Sequence, residues 1–172
     1  MIQKRKALLI IAFENFRDEE YIEPKRELEK AGIEVTTAST KIGTATGKFG
    51  MKAAVDINID TVKATDYDAI LFIGGSGADV YHNDPIAHKI AQDTVNAGKI
   101  LGAICGAPPI LSYAGVLKGK KATMYADTGA LAKGGAKYTG NGIETDGNII
   151  TATGPDTAKE WGAAIVNKIN GK

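Results

Sequence analysis

Cys105 is the only cysteine in a chain of 172 residues. It stands where the apolar run "KILGAI" (99–104) gives way to small residues and two prolines. Gly102 and Ala103 precede it; Gly106 and Ala107 follow. A strand that turns abruptly into a helix brings its flanks together, so residues two positions away must be small. Pro108 and Pro109 suit the first turn of the helix that follows. A sulfur in such a turn faces backbone N–H groups and the positive end of a helix dipole, which favours thiolate over thiol. The sequence therefore predicts a nucleophile with a depressed pKa. The competing reading is a small buried hydrophobe; the place between strand and proline-started helix argues against it.

A second segment has the same shape. In "FIGGSGADVYHND" (72–84), Gly74 and Gly75 end an apolar run and "GSG" overlaps them. Glycine lets the backbone adopt positive φ and come close to a ligand. An N–H from this loop, with one from Gly106, can form an oxyanion hole. Other chemistries lack their residues. One cysteine closes no internal disulfide and forms no Cys-x-x-Cys redox pair. The two histidines, His82 and His88, with one cysteine are too few for a zinc site. No histidine follows His88, so a Ser/Cys–acid–His triad with a late histidine, as in α/β-hydrolases, is not available.

The elements that must hold these loops alternate. "KALLIIAF" (6–13) reads as a strand buried on both faces, "IEVTTAS" (33–39) as a β-branched strand, and "AILFIGG" (69–75) and "KILGAI" as two more buried strands. Helices fall between them. One runs from Asp18 to Gly32, with Pro24 distorting its first turns. Another starts at Asn83 or Asp84, carries Pro85 in its first turn and ends at Gly98. "PPILSYAGV" is a short helix and "GVLKGKKAT" a charged turn leading to a strand. "ETDGNIITAT" reads as a hairpin around Asp146-Gly147, and a closing helix starts at Pro155. This alternation predicts an α/β fold with a mostly parallel sheet between helices. Ligands then gather at the carboxyl ends of the strands, after Phe13, Ile73 and Ile104.

Length and composition set the frame. The chain is read as one domain over 1–172, long enough to bury roughly 70% of its unfolded surface. Net charge is +1, from 21 basic and 20 acidic residues. The clusters Lys4–Lys6 and Lys118, Lys120, Lys121 are short and separate, so no nucleic-acid partner is expected. "ALLIIAF" is too short to span a bilayer and no cleavage site follows it, so a cytoplasmic protein without membrane contact is expected.

Together the segments "FRDEEYIEP", "GTATGKFG" followed by "AVDINID", "YDAILFIGG", "AICGAPPILSYAGVLKGKKAT" and "DGNIITATGP" resemble the ThiJ/PfpI superfamily over nearly the whole chain. The resemblance implies a flavodoxin-like three-layer α/β/α sandwich with the cysteine on a nucleophile elbow, and a homodimer or higher homo-oligomer. It makes Cys105 the reactive cysteine, Glu20 the acid that hydrogen-bonds it, and Gly75 and Gly106 the oxyanion-hole positions. Only the resemblance singles Glu20 out of "DEEYIE". It implies an enzyme acting on small reactive carbonyls (glyoxalase III or deglycase-like), with Glu20 shuttling protons and no cofactor or metal. Alternatives are a redox sensor through oxidation of Cys105 and a PfpI-type cysteine peptidase. Two departures matter. Gly106 stands where the peptidase-like members carry histidine, and Tyr125 stands about where other members carry one. His82 lies on the correct side of the sheet to approach the thiol, or it serves the loop as a cap. His88 is expected on a helix, as a surface or interface residue.

Overall fold

The computed structural model describes residues 3–172. Its centre is a seven-stranded sheet. β1 (Lys6–Ile10) lies between β3 (Glu34–Ser39) and β7 (Ala69–Phe72), parallel to both. β8 (Ile100–Ile104) continues the sheet from β7, and β12 (Ile149–Ala152) pairs parallel to β8. β6 (Ile57–Asn58) and β11 (Ile143–Asp146) are the edges. Only β11 runs antiparallel, in a hairpin that turns on Gly147 at φ 61°. The sheet is mostly parallel, as its alternating sequence predicts.

Side-chain alternation assigns the faces. Leu8, Ile10, Ile70, Phe72 and Leu101 bury one side against α2 (Pro85–Asn96), α3 (Pro108–Tyr113) and α4 (Ala130–Lys133). Leu9, Leu71 and Ile150 bury the other against α1 (Asp18–Lys30) and α5 (Ala158–Ile169), through Leu28, Trp161 and Ile165. Burial on both faces is why these strands read as continuous apolar runs rather than alternating ones. The two helices of the second face touch closely. A Cβ on Gly162 would lie 2.7 Å from the Pro24 Cα, so α5 can cross α1 there only because residue 162 has none. The indole N–H of Trp161 donates to the Ile150 carbonyl at 3.0 Å, fastening α5 to the sheet.

Several boundaries differ from the sequence reading. β1 ends at Ile10 rather than Phe13, because the chain leaves the sheet for β2 (Glu14–Phe16) through Asn15 at φ 62°. β2 joins β4 (Gly43–Gly47) and β5 (Lys52–Val55) in a small separate sheet that the sequence did not announce. β9 (Lys121–Ala122) and β10 (Lys137–Tyr138) form a minimal parallel pair. α1 passes through Pro24 without breaking. What the proline removes is the N–H that the Glu20 carbonyl would have accepted one turn earlier. Among the described residues no helix is long and apolar enough to cross a membrane.

Candidate active site

Cys105 follows β8 directly and takes φ 62°, a left-handed backbone rare for a residue with a side chain. Its surroundings hold it there. The Cys105 N–H donates to the Ala152 carbonyl at 2.9 Å, and its own carbonyl accepts from the Tyr125 N–H at 3.1 Å. The Ala107 N–H closes the turn on the Ile104 carbonyl at 3.0 Å. Backbone strain fixed from both sides in this way is a mark of a functional turn. The expected elbow is present.

Glu20, in the first turn of α1, is fully buried. Gly74 is what lets it reach the sulfur. A Cβ there would fall 2.5 Å from Glu20 Oε1, 2.5 Å from the Ile104 carbonyl oxygen and 2.9 Å from the Cys105 Cβ. Gly154, at the end of β12, closes the far side: a Cβ on it would stand 3.9 Å from Glu20 Oε2 and 4.0 Å from Cys105 Sγ. Neither carboxyl oxygen makes a regular hydrogen bond within the described residues. The polar groups facing them are the Cys105 thiol and the Gly74 N–H.

Burial pushes the Glu20 carboxyl up to about 7. It also pushes the Cys105 thiol up, to about 12, and the Glu20 carboxylate beside it acts in the same direction. The depressed thiol expected from the sequence is therefore corrected. The helix meant to lower it is only six residues long and opens with two prolines, which have no N–H to offer. Only the Gly106 N–H and the Arg17 charge pull the thiol down. The carboxylate disfavours the thiolate, while the neutral thiol facing it favours the carboxylate, so in the singly ionised pair one proton lies between oxygen and sulfur.

Gly75 and Gly106 sit side by side. Gly75 has φ 105°, and a Cβ on it would lie 2.5 Å from the Arg17 amide nitrogen, so glycine is required there. A Cβ on Gly106 would face the Gly75 carbonyl oxygen at 3.6 Å. The N–H groups of both donate to no oxygen among the described residues.

The profile of the DJ-1/PfpI family matches residues 5–168. The chain belongs to that family. It is 32% identical over 155 residues to Deglycase PfpI of Pyrococcus furiosus, covering 90% of this chain and 93% of that one. It is 26% identical over 171 residues to the glutathione-independent glyoxalase DJR-1.2 of Caenorhabditis elegans, covering 99% and 92%. The crystal structure of a ThiJ/PfpI domain protein from Brachyspira murdochii superposes with a TM-score of 0.95 at 31% identity, covering 99% of both chains. The flavodoxin-like sandwich of the family is the fold described above.

Against that family frame the two histidines do other work. His82 does not turn its imidazole to the thiol as a base. Its Nε2–H donates to the Gly106 carbonyl at 2.8 Å, with Asp79 Oδ1 3.6 Å away and the Tyr113 ring edge-on at 6.2 Å. His88 lies half-buried on α2, where its Nε2–H donates to the His82 carbonyl at 2.6 Å. His82 thus ties the Gly75 loop to the elbow. His82→Leu should leave the Gly106 carbonyl without its partner and destabilise the fold by about 1 kcal/mol. His82→Gln, which keeps a donor, should lose less; urea unfolding of both checks the order. Tyr125 meets the elbow through its backbone N–H, while its side chain is 57% exposed and makes no hydrogen bond among the described residues.

The structure adds residues that the sequence left out. Gly74 was visible only as one of a glycine doublet, and Gly154 only as the residue before a helix-starting proline. Nothing in "FRDEE" marks Arg17, whose N–H donates to the Gly74 carbonyl at 2.9 Å. Among the described residues no three metal-ligating side chains cluster.

Proposed function

We propose that this chain converts small 1,2-dicarbonyls into 2-hydroxy acids through Cys105, with Glu20 moving the protons. The observation that carries the reading is the Glu20 carboxyl, buried, free of regular hydrogen bonds and facing the sulfur, with a pKa near 7. A general acid–base works best when its pKa lies near the working pH. Enzyme names among the relatives, deglycase and glyoxalase, support a catalytic role.

The steps follow from the groups present. The Glu20 carboxylate takes the thiol proton as sulfur attacks the aldehyde carbon. This lets a thiol of high pKa react without first forming a free thiolate. Charge builds on the former aldehyde oxygen, where the Gly75 and Gly106 N–H groups receive it. Glu20 returns the proton to that oxygen, giving a hemithioacetal. It then takes the proton from the hemithioacetal carbon and passes it to the neighbouring carbonyl oxygen, giving an enediol, and next takes the hydroxyl proton at the sulfur-bearing carbon and delivers it to the other carbon. The product is a thioester of a 2-hydroxy acid. Water cleaves the thioester, releasing the acid and restoring the thiol. The sum is one dicarbonyl plus one water to one hydroxy acid.

The same site ranks the other readings lower. A peroxide sensor needs thiolate, and burial holds this sulfur protonated. A peptidase needs a general acid to protonate its leaving amine, and the His82 Nε2–H is committed to Gly106. The test uses methylglyoxal with chelator and without glutathione. One lactate should form for each methylglyoxal consumed. Persistence of methylglyoxal, or its loss without lactate, overturns the reading.

A further inference from the structure

Arg17 is the residue on which α1 begins, and it reaches the site from two directions. Its backbone N–H is bonded to Gly74, and its amide nitrogen is what a Cβ on Gly75 would strike at 2.5 Å. Its side chain is 27% exposed, neither buried nor free in solvent. The guanidinium carbon lies 4.8 Å from the centroid of the Phe49 ring. Phe49 sits at the tip of the β4–β5 hairpin. That tip is fixed in turn, because the Asp18 carboxylate accepts the N–H groups of Phe49 at 3.1 Å and Met51 at 3.0 Å. The Arg17 Nε–H donates to Glu19 at 2.7 Å. Its Nη groups donate to nothing among the described residues, so an aromatic face and a carboxylate hold one side of a planar fork and leave the other open.

Such a fork matches the geometry of a carboxylate or phosphate, and being held in advance it loses little side-chain entropy on binding. The charge also reaches the reacting pair: Arg17 pulls down both the Glu20 carboxyl and the Cys105 thiol. Phe49 is 64% exposed, a large apolar surface beside this cation. We infer that Arg17 is a specificity residue for carbonyl substrates that carry an anion, carboxylate or phosphate, a few bonds from the aldehyde that Cys105 attacks. This rests on the dicarbonyl chemistry proposed above and narrows its substrate class. The anion docks on the open Nη edge, Phe49 covers the carbon chain, and the aldehyde end reaches the sulfur.

Two measurements test it, and the first needs no turnover. Cys105 is alkylated with iodoacetate and with iodoacetamide, which differ in charge. The ratio of the two rates in the wild type should exceed that of N-acetylcysteine. It should fall on the order of 10-fold or more in Arg17→Gln and in Arg17→Met, which keeps an apolar stem against Phe49. Lys48→Gln, removing the other cation near that ring, should leave the ratio where it was. The second measurement is kcat/KM for 4,5-dioxopentanoate and for hydroxypyruvaldehyde phosphate, each against neutral 2-oxopentanal. The preferred anion should exceed the neutral substrate by at least about 10-fold, and the preference should collapse in the Arg17 variants. A wild-type alkylation ratio no higher than that of the free thiol, or a ratio unchanged in both Arg17 variants, overturns the inference. If no dicarbonyl is turned over, the proposed reaction falls, and the alkylation ratio still decides whether Arg17 draws anions to the sulfur.

Discussion

Cys105→Ser is expected to abolish lactate formation from methylglyoxal, with a loss on the order of 10⁴-fold or more. The substitution changes one atom and keeps the elbow, since the φ of 62° is imposed by the Ala152 and Tyr125 backbone bonds rather than by the sulfur. Glu20 remains buried beside it. What disappears is the nucleophile. Even with its pKa pushed up, a thiol gives its proton to a neighbouring carboxylate far more readily than an alcohol does, and sulfur is the better nucleophile once it has done so. The residual rate should be that of the Gly75 and Gly106 N–H groups acting on a bound substrate. Steady-state lactate production by both proteins is the measurement. If Cys105→Ser keeps more than about a tenth of the activity, sulfur is not the attacking atom.

The elbow was legible because its constraint is steric. Small residues crowd the end of the strand, Gly102 because a Cβ there would strike Leu71 and Trp161, and the prolines at 108 and 109 start the next helix, whatever the reaction. The parallel core was legible for a similar reason: strands buried on both faces have nowhere to put a polar residue. Glu20 was not. A buried carboxyl among four acids looks like a solvated helix start, and only the fold distinguishes the one under Gly74 from Glu19, which pairs with Arg17 in solvent reach. The small β2–β4–β5 sheet escaped because "GTATGKFG" is short and glycine-rich, with little apolar alternation. The thiol's ionisation was read in the wrong direction. The sequence shows a helix N-terminus, but how much water the sulfur loses, and how near the carboxylate lies, are properties of packing. His82 was placed on the right side of the sheet, yet its partner is a carbonyl, and no residue pattern announces a carbonyl.

Glu20→Gln is expected to move three measurements in directions that only a reacting carboxyl produces. Turnover of methylglyoxal should fall on the order of 100-fold or more, because the amide keeps the shape and a donor but cannot take a proton from sulfur or carbon. Alkylation of Cys105 by iodoacetamide at pH 8 should become slower, because burial still disfavours the thiolate and the carboxylate that takes the thiol proton as sulfur attacks is gone. Stability should rise at the same pH. The Glu20 pKa is raised from an ordinary 4.5 to about 7 in the folded chain, so its protonated form favours folding. That contribution is complete below pH 4.5 and is lost as pH climbs through 7. The wild type should therefore be weaker at pH 8 than at pH 4 by a contribution from this group on the order of 3 kcal/mol, and the glutamine variant should not share that loss. Urea unfolding at the two pH values measures it. Glu19→Gln should show none of the three effects, since that carboxylate is held below the usual range by Arg17 and lies outside the pocket. A Glu20→Gln protein that alkylates and turns over as fast as the wild type would mean that no proton passes from sulfur to the carboxyl, and the proton route through it would have to be given up.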